Sequence, residues 1–518
     1  MELNFIKLEY GVYKRSVPFG QSCVFLNPNN WDDFGFKTQF AVTWCDESGS
    51  QLYIGEIKIG FQDQMGGWTA HEMDSDFDEL PRTFFSLGQD VDYYEKLSKL
   101  SPDISRKILV GLNDLVFNDT ALRQFSTEKS FNDSLTRGVS YSSITEQFRR
   151  VLNGGAPQTP YKFVYKVMPD EETAGIELRF EVLPDSKPST NIHVLIGRNG
   201  IGKTTLLNGM ISAIVKDHKI DRGAGHFWDV STQNYSLIDD EFFTALVSVS
   251  FSAFDPFTPP LDTDTQSNEL KYSYIGLKKV VRDKNGLKSE HKDIDKFCDD
   301  FANSLANCFS LPQKKMRWVR AIRFLESDEN FADMDLTRFA EEGGADRLSD
   351  LKYKLFKKMS SGHAVVLLTM TKLVEKVDEK TLVLMDEPES HLHPPLLSAF
   401  TRALSDLLSN RNAVGIIATH SPVVLQEVPK SCVWMLRRNR LIANAERPDS
   451  ETFGENVGVL TRAVFQLEVS KSGFHHLFAE SVAEGKSYDQ IVAEYDGQIG
   501  FEGRAVLRAL LASREEES

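Results

Sequence analysis

The sharpest chemical pattern in the chain is Gly197-Arg-Asn-Gly-Ile-Gly-Lys-Thr-Thr205, a full match to G-x-x-x-x-G-K-[ST]. Glycines at this spacing let backbone N–H groups turn inward around phosphate oxygens, and the helix that follows points its partial positive end at the anion. Lys203 is then placed to reach the β- and γ-phosphates of a nucleoside triphosphate, and the Thr204 hydroxyl to ligate Mg2+. Arg198, Asn199, Gly200, Ile201, Gly202 and Thr205 complete the expected nucleotide-binding set. A second run, Thr381-Leu-Val-Leu-Met-Asp-Glu387, is apolar until it ends in two adjacent carboxylates. Buried parallel strands read this way, and ligands sit beyond their carboxyl ends. Asp386 is expected to hold Mg2+ through water, and Glu387 to act as general base on the attacking water.

Three further segments carry candidate chemistry. Met359-Ser-Ser-Gly-His363 precedes an apolar helix-like stretch, Ala364 to Val377. Serines and a glycine there form an N-cap with free N–H groups and a dipole that favours an anion; a capped helix with no further role is the plainer alternative. Pro388-Glu-Ser-His-Leu-His-Pro394 follows the carboxylates, and its His391-x-His393 pair reads as an interface turn in preference to a transition-metal site. Ala413-Val-Gly-Ile-Ile-Ala-Thr-His420 is another apolar strand, ending in an imidazole able to hydrogen-bond a γ-phosphate.

These residues need strands and helices to hold them. A buried strand, Ile192 to Ile196, leads into the glycine loop, and Leu206 to Ile214 reads as the helix after it. Upstream, the alternation from Phe36 to Phe61 reads as strand, turn and strand, broken at Asp46-Glu-Ser-Gly49, and the region from Asp90 to Leu152 has helical spacing. Tyr161–Val167 and Ile176–Val182 form a second strand pair. Tyr272–Val281 is expected to be one strand of a hairpin turning at Asp283-Lys-Asn-Gly286. The expected division is 1–155, an N-terminal β/α region of unknown role; 156–257, a first lobe with the glycine loop; 258–350, a helix-rich insert; 351–440, a second lobe; and 441–518, a C-terminal extension.

Composition narrows the class. The 518 residues carry 59 Lys+Arg against 75 Asp+Glu, a net charge of −16, which disfavours a protein that coats nucleic acid by bulk charge. Five scattered cysteines without C-x-x-C favour reduced thiols over a disulfide framework or zinc site. No apolar run reaches the ~18 residues of a membrane helix and no secretory leader is visible, so the expected setting is cytoplasmic, with no membrane partner.

Taken in order, Gly-x-Asn-Gly-x-Gly-Lys-Thr, Ser-Ser-Gly-His, Asp-Glu-Pro-Glu-x-His-Leu-His-Pro and Ala-Thr-His-Ser-Pro resemble the ABC-type ATPases of the SMC, RecF and OLD group. Within that group, Asp386 to Pro394, with Phe453-Gly-Glu-Asn-Val457 and Val464-Phe465, is most similar to the PtuA ATPases of Septu and retron-associated anti-phage systems. The resemblance implies an α/β fold: an ABC-type P-loop head, a mixed sheet with helices, plus a β-rich and helical N-terminal region and a helical insert between the lobes. It implies ATP and Mg2+ as cofactors and a homodimer or higher homo-oligomer. Ser360, Ser361 and Gly362 would act as a signature loop in trans, Ser390, His391 and His393 would lie in the dimer-interface turn, and Glu387 and His420 would be catalytic. It also implies an HNH nuclease partner of the PtuB kind, with DNA, RNA or a retron RNA–DNA as the nucleic acid. The alternatives are an SMC- or RecF-like repair ATPase acting on DNA directly and, third, a transport cassette.

Three departures accompany the resemblance. The signature reads Met-Ser-Ser-Gly-His, no glutamine stands near Ser250 to Asp255 where Ser252 or Asp255 would substitute, and the insert lacks the heptads of a long coiled coil. Intrinsic nuclease activity is not expected, because the tail shows no D-x-D and the His475-His476 pair diverges on one helix. Basic runs at Lys314, Lys315, Arg317, Arg320 and Arg323, at Lys352, Lys354, Lys357 and Lys358, and at Arg437, Arg438 and Arg440 read as solvated faces, with a nucleic-acid groove as the functional alternative.

Overall fold

Six apolar runs between Ile192 and Asn439 pair side by side as parallel strands in the computed structural model. The structure describes residues 3–12, 21–155, 158–169, 175–215, 225–232, 235–239, 242–252, 257–263, 270–283, 286–342, 356, 359–439, 442–471 and 473–517. The order across this seven-stranded sheet is Lys271–Gly276, Ala245–Ser250, Thr381–Asp386, Val414–Thr419, Ile192–Ile196, Val433–Asn439 and Ile442–Glu446, the last strand antiparallel. Central strands are apolar on both faces because both faces are covered. Val194, Val383 and Ile417 point into one core, while Leu195, Leu382 and Ile416 point into the other.

The first core is closed by helices Ile294–Phe309, Pro312–Leu325, Ser361–Lys376 and Pro394–Asn410, with Phe301, Trp318, Met370 and Leu404 buried among them. The second is closed by helix Lys203–Val215 and a four-stranded antiparallel sheet built on Tyr161–Val167 and Ile176–Val182. The result is the mixed α/β fold that the sequence leads one to expect. Among the described residues no helix is long and apolar enough to cross a membrane.

The N-terminal region forms its own six-stranded sheet around the hairpin Gln39–Cys45 and Gln51–Phe61. The hairpin turns where Asp46 accepts hydrogen bonds from the backbone N–H groups of Ser48 and Ser50, both at 2.9 Å. Helices Val91–Lys99 and Pro102–Gly111 cover it, but π-helical turns over Phe131–Leu135 and Ser143–Phe148 interrupt the helical stretch expected up to Leu152. Asp90 ties this region to the core beneath it. Its carboxylate lies 2.8 Å from Arg317 and 3.5 Å from Arg411, which also reaches Asp378 at 3.4 Å. Burial would raise the Asp90 carboxyl, but the two guanidinium groups outweigh it and hold it down at about 2.

One expected strand divides. Lys271–Gly276 joins the main sheet beside Ala245–Ser250, whereas Lys278–Asp283 pairs with Gly286–His291; of the expected turn, residues 284 and 285 lie outside the described residues. Tyr272 and Ile275 are buried by the sheet, so a boundary after residue 257 runs through one hydrogen-bonded layer.

His193, in the strand before the glycine loop, is 1% exposed and lies edge-on to Phe180. Burial, reinforced by Arg447, pushes its imidazole down from 6.5 to about 3. The unfolded chain therefore binds a proton that the fold excludes between those values, and stability is lost as pH falls through that window. Replacing His193 with Leu should flatten the fall in stability between pH 6.5 and 5 by about 1 kcal/mol per unit, read by denaturant titration; parallel wild-type and variant curves would exclude this contribution.

Candidate nucleotide site

Three strands end level with one another. Ile196 pairs with Thr419, and Asp386 pairs with Ala418, so Gly197, Glu387 and His420 emerge together at one sheet edge. Gly200 and Gly202 have φ of +76° and +101°, the left-handed region that side chains avoid. Gly197 is constrained differently, since a Cβ there would come within 2.7 Å of the Leu436 carbonyl. Arg198, Asn199 and Gly200 face outward at the tip, Thr205 is exposed on the helix, and Ile201 packs on the core beneath.

Lys203 is buried with its ammonium turned back onto the loop. Nζ donates to the carbonyls of Gly197 at 3.0 Å and Arg198 at 3.2 Å, and lies 3.9 Å from the Glu387 carboxylate. Thr204 Oγ1 donates to Asp386 Oδ2 at 2.9 Å, so the two expected Mg2+ ligands touch directly. These are hard oxygen donors of the kind Mg2+ takes, at the edge where phosphates would lie. Glu387 adopts φ 45° and ψ 58°, an unusual conformation for a residue with a side chain, held by its N–H donating to Ala418 at 2.8 Å.

Glu389 is the residue that sequence reasoning missed. Its Oε1 accepts from Thr419 Oγ1 at 2.6 Å and from the His420 N–H at 2.7 Å, and lies 3.0 Å from His420 Nδ1. His420 Nδ1 is also 3.6 Å from Glu387, which sets the imidazole between two carboxylates. The available signal was the acid three places beyond the strand end, within Asp-Glu-Pro-Glu.

The remaining expected residues gather at the turn Pro388–His391 and the helix start beside it. Ser360 and Ser361 are exposed, and Ser360 caps helix Ser361–Lys376. A Cβ on Gly362 would come within 2.4 Å of the His391 carbonyl, so only glycine lets the helix approach the turn so closely. Ser390, His391 and His393 are exposed; the His391 ring lies edge-on to Phe251, and His393 Nδ1 accepts from the Leu396 N–H at 3.2 Å as a helix cap. Among the described residues no group of three His, Cys, Asp or Glu side chains is arranged to hold a metal ion. Ser250 ends the strand beside Asp386, while Asp255, one of the two proposed glutamine substitutes, lies outside the described residues.

The strongest basic run is committed internally. Lys314 donates to the Glu375 carbonyl, Lys315 lies over the Phe309 ring, and Arg317, Arg320 and Arg323 pair with Asp90, Asp406 and Glu341. Trp318 is fully buried and Arg317 nearly so, whereas Arg320 and Arg323 are 62% and 63% exposed and form surface pairs. Lys352, Lys354, Lys357, Lys358 and Arg440 lie outside the described residues. Arg437 pairs with Glu446, and His476 with Glu480.

Replacing Lys203 with Ala should abolish binding of a fluorescent ATP analogue; binding equal to wild type would remove the site. Replacing Glu389 with Ala leaves the Thr419 hydroxyl and the His420 N–H without their acceptor, an expected loss of about 1–3 kcal/mol that denaturant titration would read as a lowered midpoint.

Residues 231–426 match the family described as "AAA domain, putative AbiEii toxin, Type IV TA system", a span that holds the carboxylates, the Ser360 cap and His420. The chain carries a P-loop ATPase domain. Solved structures that it resembles include the SMC head domain from Thermotoga maritima, at 10% identity and a TM-score of 0.27, covering 56% of this chain and 99% of that one. Another is an ATP-binding cassette of an ABC transporter in its ADP conformation, at 12% identity and a TM-score of 0.30, covering 57% of this chain and 94% of that one. Protein ea59 of Escherichia phage lambda is 45% identical over 535 aligned residues, spanning 99% of both chains. With the whole length aligned at that identity, the chain belongs to the family of protein ea59.

Proposed function

We propose that this protein is an ABC-type ATPase that binds ATP with Mg2+, hydrolyses it slowly, and completes its site by head-to-head pairing of two protomers. The observation that carries this reading is the contact between Thr204 and Asp386 at 2.9 Å, with Lys203 and Glu387 at the same strand edge. Lys203 exchanges its loop carbonyls for phosphate oxygens, so its cost of desolvation is already met before nucleotide arrives. Thr204 and Asp386 would hold Mg2+, which when bound would neutralise charge on the phosphates. Glu387 accepts the proton of the attacking water, while Glu389 orients His420 toward the γ-phosphate. Slow turnover follows from the Met-Ser-Ser-Gly-His signature and the absent glutamine, which leave fewer groups to align the reacting water.

The likeness of the motif series to PtuA supports a finer reading: nucleotide state assembles and regulates an HNH nuclease supplied by a partner, in anti-phage defence. The net charge of −16 and the buried pairing of Arg317 with Asp90 favour this over direct action on DNA.

Glu387→Gln should trap ATP-bound dimers, doubling the mass read by light scattering when ATP is added; an unchanged monomer mass would count against ATP-driven closure. Expressed with its genomic neighbours, the protein should co-purify with a nuclease. Tight binding to DNA ends by the protein alone, with no nuclease retained, would favour the repair reading.

A further inference from the structure

Asp328 belongs to the segment between the lobes, yet it joins the two helix starts at the candidate interface. Its side chain is 7% exposed and caps the short helix Glu329–Ala332. Oδ1 lies 3.0 Å from His363 Nε2, and Oδ2 lies 3.2 Å from His393 Nε2. On the far side of the His363 ring, Nδ1 is 2.5 Å from Ser360 Oγ. Phe331, from the same short helix, packs its ring against His363 with centroids 5.2 Å apart. The segment thus holds this imidazole by its edge and by its face.

The donors and acceptors fix the proton positions. A carboxylate only accepts, so both Nε2 atoms carry hydrogen. His393 agrees independently, because its Nδ1 accepts from Leu396. In the neutral His363 ring Nδ1 is then an acceptor, and the Ser360 hydroxyl donates to it. Burial would raise the Asp328 carboxyl, but the hydrogen bond from His363 and the backbone N–H of Phe331 hold it below the usual carboxylate range.

We propose that Asp328 is a positioning residue of the composite nucleotide site: through His363 it holds the Ser360 side chain at the helix start that meets the nucleotide of a second protomer, where the hydroxyl turns its one proton from Nδ1 to a phosphate oxygen, and through His393 it holds the adjoining turn. This rests on the reading of Ser360 as a signature residue acting in trans. The same carboxylate makes the inter-lobe segment a mechanical part of that signature, since displacing it releases both imidazoles at once.

Asp328→Asn is the informative change, because the amide keeps the volume but offers one acceptor oxygen to two imidazole N–H donors. In a Glu387→Gln background it should weaken ATP-driven association at least tenfold by sedimentation. Binding of a fluorescent ATP analogue to the monomer should stay within twofold. With Glu387 restored, mixing the Asp328→Asn protein with the Lys203→Ala protein should raise ATP turnover at least fivefold above either alone. One composite site then pairs an intact loop with an intact signature, a rescue that damage confined to its own protomer would not give. Association within twofold of wild type, or no gain on mixing where Ser360→Ala does gain, would overturn the role of Asp328 and leave the trans signature standing. If Ser360→Ala itself neither weakens association nor is rescued by mixing, the trans reading fails and the inference goes with it.

Discussion

The site depends on the register of three parallel strands. Ile192–Ile196, Val414–Thr419 and Thr381–Asp386 are hydrogen-bonded neighbours, and a shift of one residue in any of them would turn its side chains to the opposite core. Because both faces are buried by different apolar sets, register is fixed by packing over the whole length of each strand. The loop, the carboxylate pair and the imidazole inherit that precision without contacting one another until the strands have ended. The Thr204–Asp386 bond is its outcome: a helix and a strand far apart in sequence meet within hydrogen-bonding distance because each begins or ends at the same sheet edge.

Strained backbone and close approach, found elsewhere in the chain too, are put to use at the same edge. Glu387 adopts left-handed backbone angles, the loop glycines have positive φ, and Gly362 admits the His391 carbonyl where a methyl group could not fit. Sites that must present backbone and charge to a ligand commonly hold such conformations, with the surrounding core supplying the stability that sustains them.

Much of this was legible in the sequence, because continuous apolar runs ending in chemistry-bearing residues encode both strand and site. Ile192 to Ile196, Thr381 to Asp386 and Val414 to Thr419 emerge as strands for that reason. What stayed hidden depends on partners distant in the chain. Lys271–Gly276 reads as the first arm of a hairpin, since nothing local reveals Ala245–Ser250 beside it. Glu389 looks like one more turn carboxylate until Thr419 and His420 arrive at its oxygen. Asp328 lies in an ordinary acidic stretch, and its meaning comes from two histidines 35 and 65 positions later. The basic run around Trp318 reads as a solvated face, and Arg320 and Arg323 lie on one, but the burial of Arg317 shows only once Asp90 lies beside it.

The Asp90 carboxylate also bears on modularity. It is the buried counter-ion for two arginines of the ATPase core, Arg317 and Arg411. Removing one member of such a buried set typically costs about 3–5 kcal/mol, because the charges left behind have no water to turn to. A change at Asp90 is therefore felt in both parts at once: Arg317 loses its buried partner, and Arg411 keeps Asp378 alone.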